Sequence, residues 1–217
     1  MTEEPPLIRD QKELLQYGVA SRVPVCNPKI DATAWKRWAQ VLSTVSPCIV
    51  MSEGDGEYAF YRNILDEPDF PFDHILDGEI GDAIQKFFPV QNLKEIRLDD
   101  AFCIHYNMTQ EDTTGAKHMD PSDITVNLCI TKSDDCKGSD VMFHGTKALQ
   151  GVDSSIETRT DFCFRVNQEP LYATLHWGSH PHETTRLEKG DRTNIVLTYC
   201  FADPSRSDVS SRTCYNV

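Results

Sequence analysis

The triplet His118-Met119-Asp120 is the part of the sequence best suited to chemistry. In an extended segment residues i and i+2 point to the same face, so this imidazole and this carboxylate can converge on one metal ion. By itself the triplet is a weak signal, because a His with an Asp two residues later is usually a surface pair. The interpretation gains weight from a second histidine-rich segment downstream, which contains His176, His180 and His182.

Two His and one carboxylate occupy only some of the coordination positions of an iron ion and keep the others open. This ligand set is typical of non-haem Fe(II) oxygenases. A zinc site is the weaker interpretation, because the eight cysteines form no CxxC pair.

Short strands are the elements that must position these residues. From Leu98 onward, strand-like runs are separated by Gly, Pro, Asp and Ser, and their close spacing predicts an all-β sandwich or barrel rather than βαβ units. The runs are 101–106, 124–131, 140–144, 161–166, 173–177 and 193–201. In the second run the polar residues Thr125 and Asn127 share one face, which suits a pocket, and the aliphatic residues share the other.

The first 95 residues predict mainly helix and loop. One helix is expected over 31–42, beginning at Asp31, and a second over 81–88, ending before Pro89. An irregular, exposed connection is expected over 66–77. We therefore expect one domain over 1–217, with a helical and loop support region at 1–95, a β core at 96–202 and a partly ordered tail at 203–217.

The charge of the chain limits the classes of macromolecule that it can bind. The 217 residues include 21 Lys+Arg and 34 Asp+Glu, and the net charge of −13 argues against binding to nucleic acid or to an anionic membrane. The sequence shows neither a signal-peptide pattern nor an apolar run long enough to span a membrane. We expect a soluble protein of the cytosol or nucleus with reduced thiols.

Four motifs in order resemble the 2-oxoglutarate- and Fe(II)-dependent dioxygenases, in particular the prolyl and lysyl hydroxylase branch. The family pattern HxDxSxxTxNxxL is similar to residues 118–130, a Gly-rich strand motif to 138–143, LHxGxxxH to 175–182 and GxR to 190–192. The resemblance covers about residues 98–201. It implies an α+β, mainly β fold, with a double-stranded β-helix (jelly-roll) core and N-terminal helices packed on one sheet.

The resemblance also implies the site residues. His118, Asp120 and one downstream His would bind a catalytic Fe(II), and the family places that His ten residues before a basic residue, as His182 stands before Arg192. His180 is then interpreted as a residue at the rim of the site and His176 as a core His near the co-substrate. His105 and His144 are assigned to packing or pocket polarity, and His74 to a loop.

The co-substrate implied by the resemblance is 2-oxoglutarate, used with O2 and released as succinate and CO2, with ascorbate as an optional reductant. Arg192 would bind its distal carboxylate through paired hydrogen bonds. Tyr106 is expected to reach the same carboxylate. Thr125 and Asn127 either contact the co-substrate or are satisfied by neighbouring backbone, and both interpretations stay open.

The expected primary substrate is a Pro or Lys side chain in a polypeptide, because the motifs resemble that branch and an acidic surface attracts a basic peptide. Residues 108–117 are either a lid over the iron or an ordinary connection. A nucleic-acid demethylase is the nearest alternative, but the closing segment after Arg192 lacks that group's second Arg. Small-molecule hydroxylases and non-catalytic binding modules on the same barrel are the others.

Overall fold

Strand is the most frequent secondary structure among the described residues. The computed structural model describes residues 4–25, 33–35, 37, 38, 40, 60–65, 70–110, 113–152, 159–207 and 209. The strands are β1 Leu7–Ile8, β2 Val19–Pro24, β3 Phe60–Asn63, β4 Ile96–Asn107, β5 Gly115–His118, β6 Ile124–Lys132, β7 Lys137–Gly138, β8 Val141–His144, β9 Cys163–Val166, β10 Tyr172–Trp177, β11 His182–Thr184, β12 Leu187–Lys189 and β13 Asp191–Phe201. The helices are α1 Gln11–Tyr17, α2 Phe72–Ile75 and α3 Glu79–Phe87, with 3-10 turns at Leu93–Glu95 and Pro204–Arg206.

Two large sheets share these strands. One has six strands in the order β2-β10-β6-β13-β4-β3, and the other has five in the order β1-β9-β8-β11-β5. Strands β7 and β12 form a small separate pair. Between β4 and β13 the chain passes repeatedly from one large sheet to the other, which is consistent with a jelly-roll core.

The central strands β6 and β13 show why the two faces of the six-stranded sheet differ: one face packs in the hydrophobic core, and the other faces the five-stranded sheet. Ile124, Val126 and Leu128 of β6 join Ile195 and Leu197 of β13 in the main core cluster, together with buried residues of α3. Alternate residues of the same strands point to the opposite face, where the five-stranded sheet lies. The ring of Phe143 on β8 packs against His176 on β10, with centroids 5.1 Å apart, so the two sheets meet there.

The N-terminal expectation is partly wrong. Three strands arise before residue 95, and all of them take edge positions: β1 on the five-stranded sheet, β2 and β3 on the six-stranded one. Edge strands like these are specified by pairing with a distant partner, which local patterning does not reveal. Helix α1 was also missed, although Asp10 caps it by accepting a hydrogen bond from the Glu13 backbone N–H.

The two predicted helices are recovered as far as the structure describes them. Helix α3 begins two residues earlier than expected and ends before Pro89, with Ile80 and Ile84 buried. The described residues within 31–42 are helical and bury Trp35 and Trp38, and the rest of that segment lies outside the described residues. Helix α2 lies within the expected irregular connection, and it includes His74.

Other expectations fall partly outside the described residues. Of the tail at 203–217, residues 203–207 and 209 are described, with a 3-10 turn at Pro204–Arg206, and the rest lies outside the described residues. Cys129, Cys136, Cys163 and Cys200 are free cysteines. Among the described helices, none is long and apolar enough to cross a membrane.

Candidate active site

His118 and His182 face each other across a strand pair. His118 ends β5 and His182 begins β11, and the antiparallel register places them directly opposite. Their ring centroids are 4.4 Å apart. Asp120 follows β5 by two residues, and one ligand atom from each of the three side chains lies within 4.8 Å of the others. The structure thus brings together the three residues that the sequence proposed as ligands.

Backbone carbonyls orient both imidazoles. Nδ1 of His118 donates to the carbonyl oxygen of Ala116 at 2.7 Å, and Nδ1 of His182 donates to that of His180 at 2.9 Å. The protons are therefore on Nδ1, and each Nε2 faces the carboxylate of Asp120, at 3.4 Å for His118 and 3.8 Å for His182. Such hydrogen bonds fix the tautomer that a metal ligand needs.

Asp120 is held from two directions. Its backbone N–H donates to the carbonyl oxygen of Gly178 at 2.9 Å, and the Thr125 hydroxyl donates to Oδ2 at 2.5 Å. The close approach at Gly178 leaves no space for a side chain, because a Cβ there would lie 2.1 Å from the carbonyl oxygen of Ser122. Asp120 itself is buried, so its carboxylate is fixed rather than free to turn toward solvent.

The charges suit metal binding at neutral pH. Burial lowers the pKa of His182 to about 3, so this ring is neutral and offers its Nε2 lone pair. Burial alone would raise the pKa of Asp120, but its interactions with His182 and His118 outweigh that effect and hold the pKa well below its ordinary value. Burial alone would lower the pKa of His118, but the hydrogen bond to Asp120, the charge of Asp120 and the Ala116 carbonyl together outweigh that effect and raise the pKa. A metal ion at this site would displace the proton from His118.

Arg192 is a buried cation. It lies at the start of β13, opposite the end of β4. Its side chain is one of the largest fully buried side chains among the described residues, and the residue is 2% exposed. Its Nε and Nη1 atoms have no hydrogen-bond partner among the described residues. An unpaired buried charge is costly, so this guanidinium is suited to an anionic ligand that brings the missing acceptors.

Tyr106 lies beside Arg192. The two residues pair across β4 and β13, and the guanidinium carbon lies 5.2 Å from the centre of the Tyr106 ring. The Tyr106 hydroxyl reaches the opposite sheet, since a Cβ on Gly115 of β5 would lie 3.2 Å from it. Tyr106 therefore reaches from the six-stranded sheet to β5 beside the buried Arg192. Contact of either residue with a co-substrate stays a prediction.

Thr125 and Asn127 have side-chain partners. Thr125 bonds to Asp120, as described above, and Asn127 accepts a hydrogen bond from the side-chain amide of Asn194. Both partners are side chains rather than neighbouring backbone. Contact of Thr125 or Asn127 with a co-substrate stays a prediction.

The histidines outside the cluster lie in different surroundings. His180 is fully buried, with Nε2 3.1 Å from the carbonyl oxygen of Gly145, so its interpretation as a rim residue is wrong. It packs on Phe143, with ring centroids 4.9 Å apart, and it is not a member of the His118, Asp120 and His182 cluster. His176 is a buried neighbour of His182, with ring centroids 4.6 Å apart. His105 bonds to the Thr193 hydroxyl at 2.8 Å.

Gln168 is a buried polar residue, hydrogen-bonded to Asn194, that sequence reasoning missed. It is buried, and its side chain accepts a hydrogen bond from Asn194 and donates one to Thr174. It lies in a connection before β10, where no periodic pattern marks it. Its neighbour Asn194 could have pointed to it, since a buried amide needs several partners.

Comparison with solved structures places this arrangement in a known fold. An oxidoreductase of the 2OG-Fe(II) oxygenase family from Burkholderia pseudomallei superposes with a TM-score of 0.61 at 13% identity, over 91% of this chain and 95% of that one. The chain has the 2OG-Fe(II) oxygenase fold. The epimerase SnoN of nogalamycin biosynthesis, described as non-heme and alpha ketoglutarate dependent, superposes with a TM-score of 0.61 at 11% identity, over 88% of this chain and 83% of that one.

A third structure with the oxygenase fold is HygX from Streptomyces hygroscopicus. In its complex with nickel and 2-oxoglutarate it superposes with a TM-score of 0.60 at 12% identity, over 91% of this chain and 88% of that one. No protein-family model matches the sequence, and no curated protein matches it. The oxygenase fold is therefore recognised from the structure and not from sequence similarity across the chain.

Proposed function

We propose that this protein is an Fe(II)- and 2-oxoglutarate-dependent oxidoreductase. The observation that carries the proposal is a His-Asp-His cluster with ligand atoms within 4.8 Å, in a chain with the oxygenase fold. It is joined by the buried guanidinium of Arg192, whose Nε and Nη1 have no hydrogen-bond partner among the described residues and whose neighbour Tyr106 reaches Gly115 on β5, the strand that ends at His118. A metal-binding module would need the cluster alone. The buried cation adds a place for an anionic co-substrate.

His118, Asp120 and His182 fit Fe(II) as two neutral imidazoles and one carboxylate. Each imidazole is oriented by a backbone carbonyl, and Asp120 by Thr125. When bound, iron and 2-oxoglutarate together would supply the electrons that O2 needs in order to oxidise a substrate C–H bond. The part of the protein is to hold the ligands in place and to keep His182 neutral, while the metal ion would displace the proton from His118.

Arg192 fits the distal carboxylate of 2-oxoglutarate. A guanidinium can form two parallel hydrogen bonds to a carboxylate, and two of its nitrogens here have no other partner among the described residues. Tyr106 supports this position by packing its ring under the guanidinium. Similar structures support the co-substrate, since HygX is described with nickel and 2-oxoglutarate and SnoN with Fe3+ and alpha ketoglutarate.

For the primary substrate, hydroxylation of a Pro or Lys side chain in a polypeptide is the first candidate. It is supported by the motifs at 118–130 and by the acidic composition, which favours a basic peptide. Met108, in the segment that leads to β5, is 54% exposed and gives that segment an apolar contact point.

A small molecule is the second candidate, and a specific observation favours it. SnoN, which shares the fold, is described in complex with Fe3+, alpha ketoglutarate and nogalamycin RO. Its identity to this chain is only 12%. That similarity extends to the fold and not to the residues that recognise a substrate.

Succinate release tests the proposal. The purified protein is supplied with Fe(II), 2-oxoglutarate and O2, and is screened separately against a Pro- and Lys-containing peptide library and a metabolite collection. Succinate formation coupled to a +16 Da product in one arm identifies the substrate class. No succinate formation in either arm would overturn the assignment as an enzyme, and succinate formation that a chelator leaves unchanged would overturn the role of iron. Turnover with metabolites only would overturn the polypeptide candidate.

A further inference from the structure

Three polar side chains form a row on the face of the five-stranded sheet opposite the candidate active site. Cys163 on β9, His144 on β8 and Glu183 on β11 belong to three neighbouring strands, and Cys163 pairs directly with His144. The Cys163 sulfur lies 3.2 Å from His144 Nδ1, and His144 Nε2 lies 3.1 Å from Glu183 Oε1. The other face of β8 and β9 carries Phe143 and Phe164, which are fully buried.

Only one arrangement of protons satisfies all three groups. The carboxylate of Glu183 accepts hydrogen bonds only, so Nε2 of His144 must carry a proton. In the neutral ring Nδ1 then has a free lone pair, and this lone pair faces the Cys163 thiol. The thiol proton can pass to Nδ1, and Glu183 stabilises the imidazolium that results. The thiol, the imidazole and the carboxylate thus form a row in space: a nucleophile, a base, and a group that orients the base.

This row is not a second metal site. The thiol and the carboxylate approach opposite nitrogens of one ring, and within the described part of the chain only the His118 cluster brings three ligand atoms together. The row is reachable from solvent, because the side chains of His144 and Glu183 are 18% and 25% exposed and Cys163 is half-buried. The Cys163 thiol therefore has a base beside it and is accessible to a small reagent from solvent.

The other described cysteines lack this combination. Cys103, Cys129 and Cys200 are buried. Cys136 is half-buried like Cys163, but burial raises its pKa, and no hydrogen bond joins its thiol to a described imidazole. Cys136 is therefore a natural internal reference for the reactivity of Cys163.

We propose that Cys163 is a nucleophilic thiol, activated by His144 and oriented through Glu183, that is modified by small-molecule disulfides. The thiolate attacks one sulfur of the disulfide, a new S–S bond forms to Cys163, and the original S–S bond breaks. The departing thiolate takes the proton that His144 received. Cys163 is oxidised and one half of the disulfide is reduced, so no other oxidant is needed.

Site-resolved mass spectrometry tests this assignment on the full-length protein. Reduced protein, freed of reductant, is incubated with glutathione disulfide at pH 7, and mixed disulfide is followed over time on the Cys163 and Cys136 peptides. We expect Cys163 to react at least about tenfold faster than Cys136, since a positioned base commonly contributes more than that. Equal rates at the two cysteines would overturn the proposal without any variant being needed.

Matched variants then separate the base from simple exposure. Glu183→Gln keeps an acceptor for Nε2 but removes the charge, and His144→Asn removes the base, so both should slow Cys163 while leaving Cys136 unchanged. Glu188→Gln, at an exposed position of β12, removes the same charge elsewhere and should leave both rates unchanged. A Cys163 rate that is the same in wild type, Glu183→Gln and His144→Asn would overturn the role of the row.

Discussion

The Thr125 hydroxyl donates a hydrogen bond of 2.5 Å to Oδ2 of Asp120. Thr125 is a buried residue of β6, on the six-stranded sheet, whereas Asp120 follows β5 of the five-stranded sheet. This bond therefore ties a candidate metal ligand to the other half of the barrel. It gives Thr125 a positioning role that the pattern of polar residues on β6 did not specify.

Replacing Thr125 by Val should weaken metal binding by about 10- to 100-fold, the usual cost of losing a hydrogen bond that orients a metal ligand. Val keeps the branched shape, so packing is preserved. Titration with Fe(II) or Co(II) under anaerobic conditions measures the change. Thr125→Ser retains the hydroxyl and should recover most of the affinity; equal affinities for the Val and Ser variants would contradict this role.

His182 and His180 should differ in what their loss affects. His182→Ala should abolish metal binding and iron-dependent turnover, because its Nε2 faces Asp120. His180→Ala should keep metal binding but lower thermal stability, because His180 is fully buried against Phe143. Metal titration and thermal unfolding of both variants measure the difference. The reverse pattern would show that the wrong histidine has been assigned as ligand.

Arg192→Met should weaken the binding of 2-oxoglutarate by roughly 2 to 5 kcal/mol, the cost of losing a buried, charge-assisted contact, while metal affinity changes little. Without ligand the variant should be no less stable than wild type, because Met removes a buried charge whose Nε and Nη1 atoms have no hydrogen-bond partner among the described residues. Calorimetric titration and thermal unfolding measure both effects. An unchanged affinity for 2-oxoglutarate would remove Arg192 from the site.

Gly178→Ala should destabilise the protein by about 1 to 3 kcal/mol, as overpacking of a tight site commonly does. The added Cβ would lie 2.1 Å from the carbonyl oxygen of Ser122, so the segment that carries Asp120 must shift. Denaturant unfolding and metal titration should both detect this shift. Ser179→Ala, at the next position, is the control and should leave metal affinity as it is.

Acid should destabilise the metal-free protein between pH 6.5 and about 4. Burial lowers the pKa of His176 and of His180 from 6.5 to about 4, so in this range the unfolded chain binds more protons than the folded one. The free energy of unfolding must therefore fall as the pH falls through this window. The raised pKa of His118 acts in the opposite sense, mainly above pH 6.5. Urea unfolding with chelator present, at pH 7, 6 and 5, checks this; constant stability would contradict it.

The sequence by itself determined the strand-rich half and the ligands that lie close together along the chain. His118 and Asp120 could be paired because a strand alternates its faces every residue, and this local rule does not depend on the rest of the fold. The same rule separated the pocket face of β6 from the aliphatic face that packs against α3.

Between the distant partners, the sequence favoured His182 only through the family resemblance, and the geometric reason comes from the tertiary structure alone. His180 and His182 have the same parity in the chain, but the register of β11 against β5 places His182 opposite His118 and buries His180 behind Phe143. Likewise β1, β2 and β3 exist because distant strands offer them unpaired backbone groups at the sheet edges. Strand pairing and burial join residues that are remote in sequence, and no local pattern encodes which remote residue will be the neighbour.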